Sequence, residues 1–240
     1  MQDEKRGIGR SVTRALLLAS LSLSTPAAAA TQGYTISSFD AIRVDAPVSV
    51  VITTGMGASG RAEGDRDMLD RLRVEASGRL LTISVQPQKA GEKRGGTVLL
   101  RLTTGDLGRV LLAGGGSVTV NRMRGQRGDI ILGGNGDIRV DAVDLDQMNL
   151  TLSGGGRVTL AGRASMAAVH VTGPGVVAGE ALRTRQATIG NDGPGSVRLI
   201  ADVTAKITAS GSGDVTVTGK AACTADNRGT GTISCGGERY

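Results

Sequence analysis

Residues able to carry chemistry are few in this chain of 240 residues. It has one histidine, His170, two cysteines, Cys223 and Cys235, and no tryptophan. A single histidine cannot build a multi-histidine metal site. A Ser-His-Asp set would need a hydroxyl beside His170; Ser153 and Ser165 are near in sequence, but no G-x-S-x-G elbow occurs. His170 sits in AAVHVTG between Val169 and Val171, so alternation turns it outward if those valines point in. Two sets of carboxylates form patterns. Asp137 and Asp214 fall in the same column of a repeat but four coils apart, about 19 Å by strand spacing. A glycosidase pair needs roughly 5–10 Å. Asp141, Asp144 and Asp146 cluster in VDAVDLD and read as a solvated loop that could hold a cation weakly. No catalytic, cofactor-binding or metal-binding residue can be named from this set, and no cofactor is implied.

What would position any of these residues is a phrase that recurs from residue 114 onward. It reads GGGSVTV, GNGDIRV, GGGRVTL, GPGVVAG, GPGSVRL, GSGDVTV and GTGTISC, beginning at Gly114, Gly134, Gly154, Gly173, Gly193, Gly211 and Gly229. A fixed period of 18–20 residues marks a solenoid or array. Counted from each first glycine, the fourth position is always Val or Ile and the sixth is mostly aliphatic. The third and fifth positions are mostly Thr, Ser, Arg or Asp. Alternation with period two on both sides of the G-x-G predicts two strands per repeat, one face buried and one wet. Stacked in register, about seven coils would form a β-helix or β-solenoid core about 34 Å tall. The glycines are expected to turn the chain between strands by reaching positive φ. A phosphate cradle is disfavoured, because no P-loop lysine follows and no helix begins after any turn. GGNGD at 133–137 fails as a calcium nonapeptide, since the aspartate is one place early and the period is twenty.

The N-terminal third lacks the phrase. Strands are expected around IRV (42–44), VSVVI (48–52), LLTISV (80–85) and TVLLRLTT (97–104), with a break at 55–60. A short helix is expected over about 65–72, with Asp65 as its N-cap. Residues 86–96 read as a polar, basic loop open to proteolysis. Residues 31–105 thus serve as a β-rich cap with one short helix, and residues 106–240 as the repeats.

Residues 1–30 have a basic start, a short apolar run and TPAAAA, the pattern of a signal peptide cleaved after Ala30. The apolar run is too short to span a bilayer, so the mature chain should hold no integral membrane segment. The full chain carries a formal net charge of +6, and removal of 1–30 leaves +4 spread along the sequence. Such a charge argues against nucleic acid and allows contact with anionic envelope polymers. An exported chain usually pairs its cysteines. Cys223 and Cys235 lie six places either side of Gly229, both in the inward set, so a disulfide stapling the last coil is expected; the alternative is two buried free thiols.

Taken together, FDAIRVDAPVSVVITTG (39–55), LRVEASGRLLTISV (72–85) and the serial G-x-G-[SD]-[VI]-x-[VL] phrases resemble the "putative auto-transporter adhesin, head GIN domain" family. The resemblance covers roughly 35–235 as one continuous domain. It implies a right-handed parallel β-helix or β-solenoid in an exported protein, whether periplasmic, on the outer-membrane surface or extracellular. It supplies no catalytic residues. The chain departs from the pattern at Ala178 and Gly179, where a kink or groove is expected. Three functions follow in order. The first is a non-enzymatic, adhesin-like module binding an envelope polymer, cell surface or protein. The second is a carbohydrate-active β-helix enzyme acting on an anionic polysaccharide, and the third a structural envelope protein.

Overall fold

A computed structural model describes residues 30–88 and 96–240. The leader expected at 1–30 lies outside these residues except for Ala30, as does most of the loop expected to be nicked. The chain folds as an all-β solenoid whose coils hydrogen-bond into one eighteen-stranded sheet.

The repeats begin with β8 (Arg109–Leu112) and β9 (Ser117–Val120), followed by β10 (Met123–Leu132). Then come β11 (Asp137–Leu152), β12 (Arg157–Val171), β13 (Val176–Asn191) and β14 (Ser196–Ala209). The last coil is β15 (Val215–Thr218), β16 (Ala222–Asn227) and β17 (Ile233–Cys235). Each strand pairs in parallel with its equivalent one coil on: Ile138 meets Val118 and Val158, and Leu150 meets Ile130 and Val169. The seven G-x-G corners therefore bound six complete turns. The predicted inward columns are buried throughout, with Val118, Ile138, Val158, Val177, Val197, Val215 and Ile233 stacked on one another. Such layered aliphatic packing gives a chain almost without aromatics its core.

Two expectations change here. First, each repeat has three sides rather than two strands. In β11 the buried–exposed alternation slips at 141–142 and again at 146–147. Each slip is a corner made without glycine, so one continuous strand wraps two edges and adds a third ladder in which Asp144 meets Arg124 and Arg163. The cluster Asp141, Asp144 and Asp146 accordingly lies on a strand, not in a loop. Second, the corner glycines are not at positive φ; that conformation belongs to others such as Gly125 and Gly162. They are glycine because successive corners stack backbone on backbone. A Cβ on Gly154 would collide with the Gly134 carbonyl oxygen, and one on Gly156 with that of Gly136.

The N-terminal region contributes a coil of its own. β1 (Ala30–Tyr34) precedes β2 (Ala41–Val44) and β3 (Ser49–Thr54), which stack in parallel on β8 and β9. Their corner is Asp45–Val48, with Gly114 and Gly116 lying against Ala46 and Val48. An excursion then runs through β4 (Ser59–Gly64), α1 (Arg66–Arg71), β5 (Leu72–Ser77), β6 (Leu80–Val85) and β7 (Val98–Thr104). β6 and β7 pair in parallel with β2 and β3 and close that end. α1 forms as expected: Asp65 caps it by accepting from Asp67 and Met68 backbone N–H, while Met68 and Leu69 are buried. β4 and β5 were not anticipated, because SGRAEG and LRVEAS lack the apolar alternation that marks a half-buried strand.

At the other end β18 (Glu238–Arg239) folds back antiparallel on β17. Cys223 and Cys235 form a disulfide with Cα atoms 6.2 Å apart, tying β16 to β17 in the last coil among the described residues. Near Gly179 the β13–β14 register shifts, with Gly179 opposite Leu199 but Arg183 opposite Ile200. Leu199 leans into the space a side chain at 179 would need, so the predicted irregularity is a bulge with a packing cause.

Candidate functional site

The third ladder carries the site. Its outward residues form a rung series Arg124–Asp144–Arg163–Arg183 across β10, β11, β12 and β13. These side chains line a groove of about 750 Å³ with Asp106, Asp146, Ser165, Arg185 and Asp202. Period-two alternation fixes which side chains face out, and parallel register places equivalents a strand apart, about 4.8 Å.

Ion pairs cross the groove between coils. Arg163 Nε donates to Asp144 Oδ1 at 2.8 Å, and Arg124 Nε to Asp106 Oδ1 at 3.2 Å. Arg183 stands 3.7 Å from Asp202. The hydrogen bond and charge of Arg163, with Arg122 and Arg124 nearby, hold the Asp144 carboxyl below the usual carboxylate range. An ionised carboxylate can serve glycoside cleavage as base or nucleophile but not as the proton donor. Arg185 has no ion-pair partner among the described residues and leaves its guanidinium donors open. The groove therefore offers fixed donors and acceptors, the equipment of recognition. A bound anion would meet Arg185 first, and a polyol would meet the Asp–Arg rungs.

The other residues weighed in the sequence are dispersed. Asp137 pairs in register with Arg157, while Asp214 accepts from the Thr232 backbone N–H at 2.8 Å, four coils away. Asp141 is tied to Arg139 at 2.6 Å, out of the groove. His170 is outward, with Nδ1 3.9 Å from Asp192 Oδ2. Ser210 donates to the other oxygen of Asp192 at 2.6 Å. The carboxylate thus stands between imidazole and hydroxyl, an order that cannot deprotonate the serine through histidine. Neither Ser153 nor Ser165 hydrogen-bonds His170 among the described residues. No group of three or more His, Cys, Asp or Glu among the described residues is placed to hold a metal.

The groove escaped the sequence reading because it depends on the unmarked corners at 141–142 and 146–147. The one available signal was Arg124, Asp144, Arg163 and Arg183 recurring at intervals of 20, 19 and 20 residues. A second residue also went unnoticed. Asn191 occupies an inward position that holds Leu in three other repeats, and its Nδ2 donates to Gly195 O at 2.9 Å and Gly213 O at 3.2 Å. Asn227 repeats the bond to Gly231 O at 2.9 Å. These are braces between corners, not ligand-binding groups.

A family profile described as "Putative auto-transporter adhesin, head GIN domain" matches residues 38–221. Among solved structures, an adhesin-named protein from Bacteroides fragilis is 20% identical with a TM-score of 0.78, covering 87% of this chain and 97% of that one. A protein from Parabacteroides distasonis, titled a putative lipid binding protein, is 18% identical with a TM-score of 0.68, covering 87% and 96%. A third, titled a putative adhesin from Parabacteroides merdae, is 18% identical with a TM-score of 0.67 and the same coverage. At these identities the likeness establishes the fold. No curated protein matches the chain.

Proposed function

We propose, since this chain belongs to the "putative auto-transporter adhesin, head GIN domain" family, that it is an exported, non-enzymatic module that binds an envelope polymer or cell surface through its third face. The observation that carries this reading is the Arg–Asp groove, whose residues stand on paired strands and form three ion pairs between neighbouring coils. Sites on paired strands hold their geometry better than sites on loops, and side chains already ordered lose little entropy on binding. The Cys223–Cys235 bond supports export, because disulfides persist in oxidising compartments. Residues 1–30 are the leader in this reading. The stacking of β2 and β3 on β8 and β9 supports one continuous functional unit from the N-terminal coil to the disulfide. Among the described residues no helix is long and apolar enough to cross a membrane.

A panel of envelope polysaccharides, measured with the purified mature chain, tests it. Binding without turnover, weakened about tenfold by replacing both Arg183 and Arg185 with Ala, is the expected result. The enzymatic reading draws on the same concave groove and its Asp144, Asp146 and Asp202. Release of reducing ends that stops in Asp144→Asn would establish that reading instead.

A further inference from the structure

The excursion between β3 and β7 builds a second cleft, distant in composition from the groove. In the antiparallel pairing of β4 with β7, Arg61 lies directly opposite Arg101. Beyond Arg61 the row continues to Gly33 on β1, and beyond Arg101 to Val51 on β3. Directly opposed residues share a face, so both guanidinium groups rise from the outer surface between one absent and one short side chain. The space left is a cleft of about 550 Å³ lined also by Thr35, Thr53, Ser59 and Thr103. No acid lines it. Glu63, further along β4, is opposite Leu99 and makes no ion pair with either arginine.

Like charges directly opposed across two strands destabilise a sheet. Several arginines elsewhere on the surface are partnered, as Arg43 is by Asp45, Arg109 by Asp129 and Arg139 by Asp141. Arg61 and Arg101 have no ion-pair partner among the described residues. The hydroxyls divide into two kinds. Thr103 Oγ1 donates to Gly57 O and so receives from Ser59, 2.7 Å away, which occupies both protons. Thr35 and Thr53 line the cleft and their hydroxyls make no hydrogen bond among the described residues. Six or more donors thus converge where no acceptor of matching charge is supplied. Two arginines at directly opposed positions can turn both forks to the oxygens of a single tetrahedral oxyanion.

We infer that this cleft binds a phosphate group, held by Arg61 and Arg101 with hydrogen bonds from Thr35 and Thr53. It shares no residue with the groove of the proposed function, so either can fail alone. Gly33 is the opening: a Cβ there meets no atom within 4 Å, and its φ is not in the left-handed region. A larger residue at 33 would fill the cleft without straining the fold.

Circular dichroism melts of the full chain, in sodium phosphate and in sodium chloride at equal ionic strength, provide the test. Phosphate should raise the Tm of the parent protein. The double variant Arg61→Gln, Arg101→Gln should melt higher than the parent in chloride, because the repulsion is gone, and should lose the phosphate response. Gly33→Leu should keep the parent Tm in chloride and also lose the response. An equal Tm for the parent in both salts, or a phosphate shift that survives in both variants, overturns the inference. Flotation with phosphatidylglycerol but not phosphatidylcholine vesicles, abolished by the double variant, would assign the phosphate to a lipid headgroup. A phosphate shift without flotation assigns it to a soluble phosphate.

Discussion

Asn191 and the corner glycines show how much depends on single positions where coils touch. Asn191 is fully buried and satisfies two corner carbonyls that otherwise face an aliphatic core. Asn191→Ala should therefore cost about 2 kcal/mol, read as a lower urea midpoint at unchanged slope. At Gly154 the obstacle is steric, because the Gly134 backbone occupies the place of a side chain. Gly154→Ala forces two coils apart locally and should cost about 3 kcal/mol by the same measurement. The cost would be much smaller if the glycine were needed only for a turn. Charge acts at this scale too. Asp129 accepts from Asn149 Nδ2 at 2.9 Å and from Arg109 Nη2 at 2.9 Å. Those hydrogen bonds, Asn149's foremost, hold its carboxyl below the ordinary value of 3.8, and Arg163 does the same for Asp144. A depressed carboxyl adds stability that is fully present above the unfolded value and lost as pH falls through the folded one. Tm should accordingly be flat from pH 7 to about 5 and fall below about 4. Asp129→Asn should flatten that fall.

Among the elements, the last coil is the one held by covalent chemistry. β16 and β17 have the core on one side and no coil among the described residues on the other, so they would fray first in a one-dimensional stack. The disulfide closes a loop with a sequence separation of 12, and β18 covers part of the β17 edge. Replacing Cys223 and Cys235 with Ser should cost up to about 3 kcal/mol. Hydrogen exchange should then rise in residues 222–235 while the corners at 134 and 154 stay protected. Uniform loss of protection would refute this local role. The N-terminal end is closed differently, by β6 and β7 pairing beside β2 and β3. Here the apolar alternation of IRV, VSVVI and LLTISV made the strands legible, and Asp65 made the helix legible. β4 and β5 were not, because SGRAEG and LRVEAS carry little apolar alternation: β5 is an edge strand on β6, and β4 takes its ladders from β1 and β7 on either side.

Across the whole molecule, stability is a sum over like neighbours. Residues 154–172 form one repeat from corner to corner, and their removal would join Ser153 to Gly173 with the inward columns still aligned. The shortened chain should fold with the same far-UV spectrum and a lower Tm, because one interface between coils is lost. A random-coil spectrum would show that the coils are not interchangeable. Since this deletion also removes Arg163, it should weaken binding in the groove, which joins the architectural unit to the functional one.

The sequence alone determined the period, the inward columns, the G-x-G corners and the cysteine pair at the end of the stack. All of these repeat, and a repeated side chain is recorded at every turn of the chain. Only the tertiary structure decided the third side, the reason for the glycines and the two clefts. The corners at 141–142 and 146–147 are slips in a strand that carry no glycine in β11, although the next coil sets Gly162 at positive φ beside Val143. The glycines answer to a carbonyl roughly twenty residues away, not to their own dihedral angles. Arg61 and Arg101 face each other because an excursion folds back to pair β4 with β7 across forty residues, a contact that no local pattern encodes.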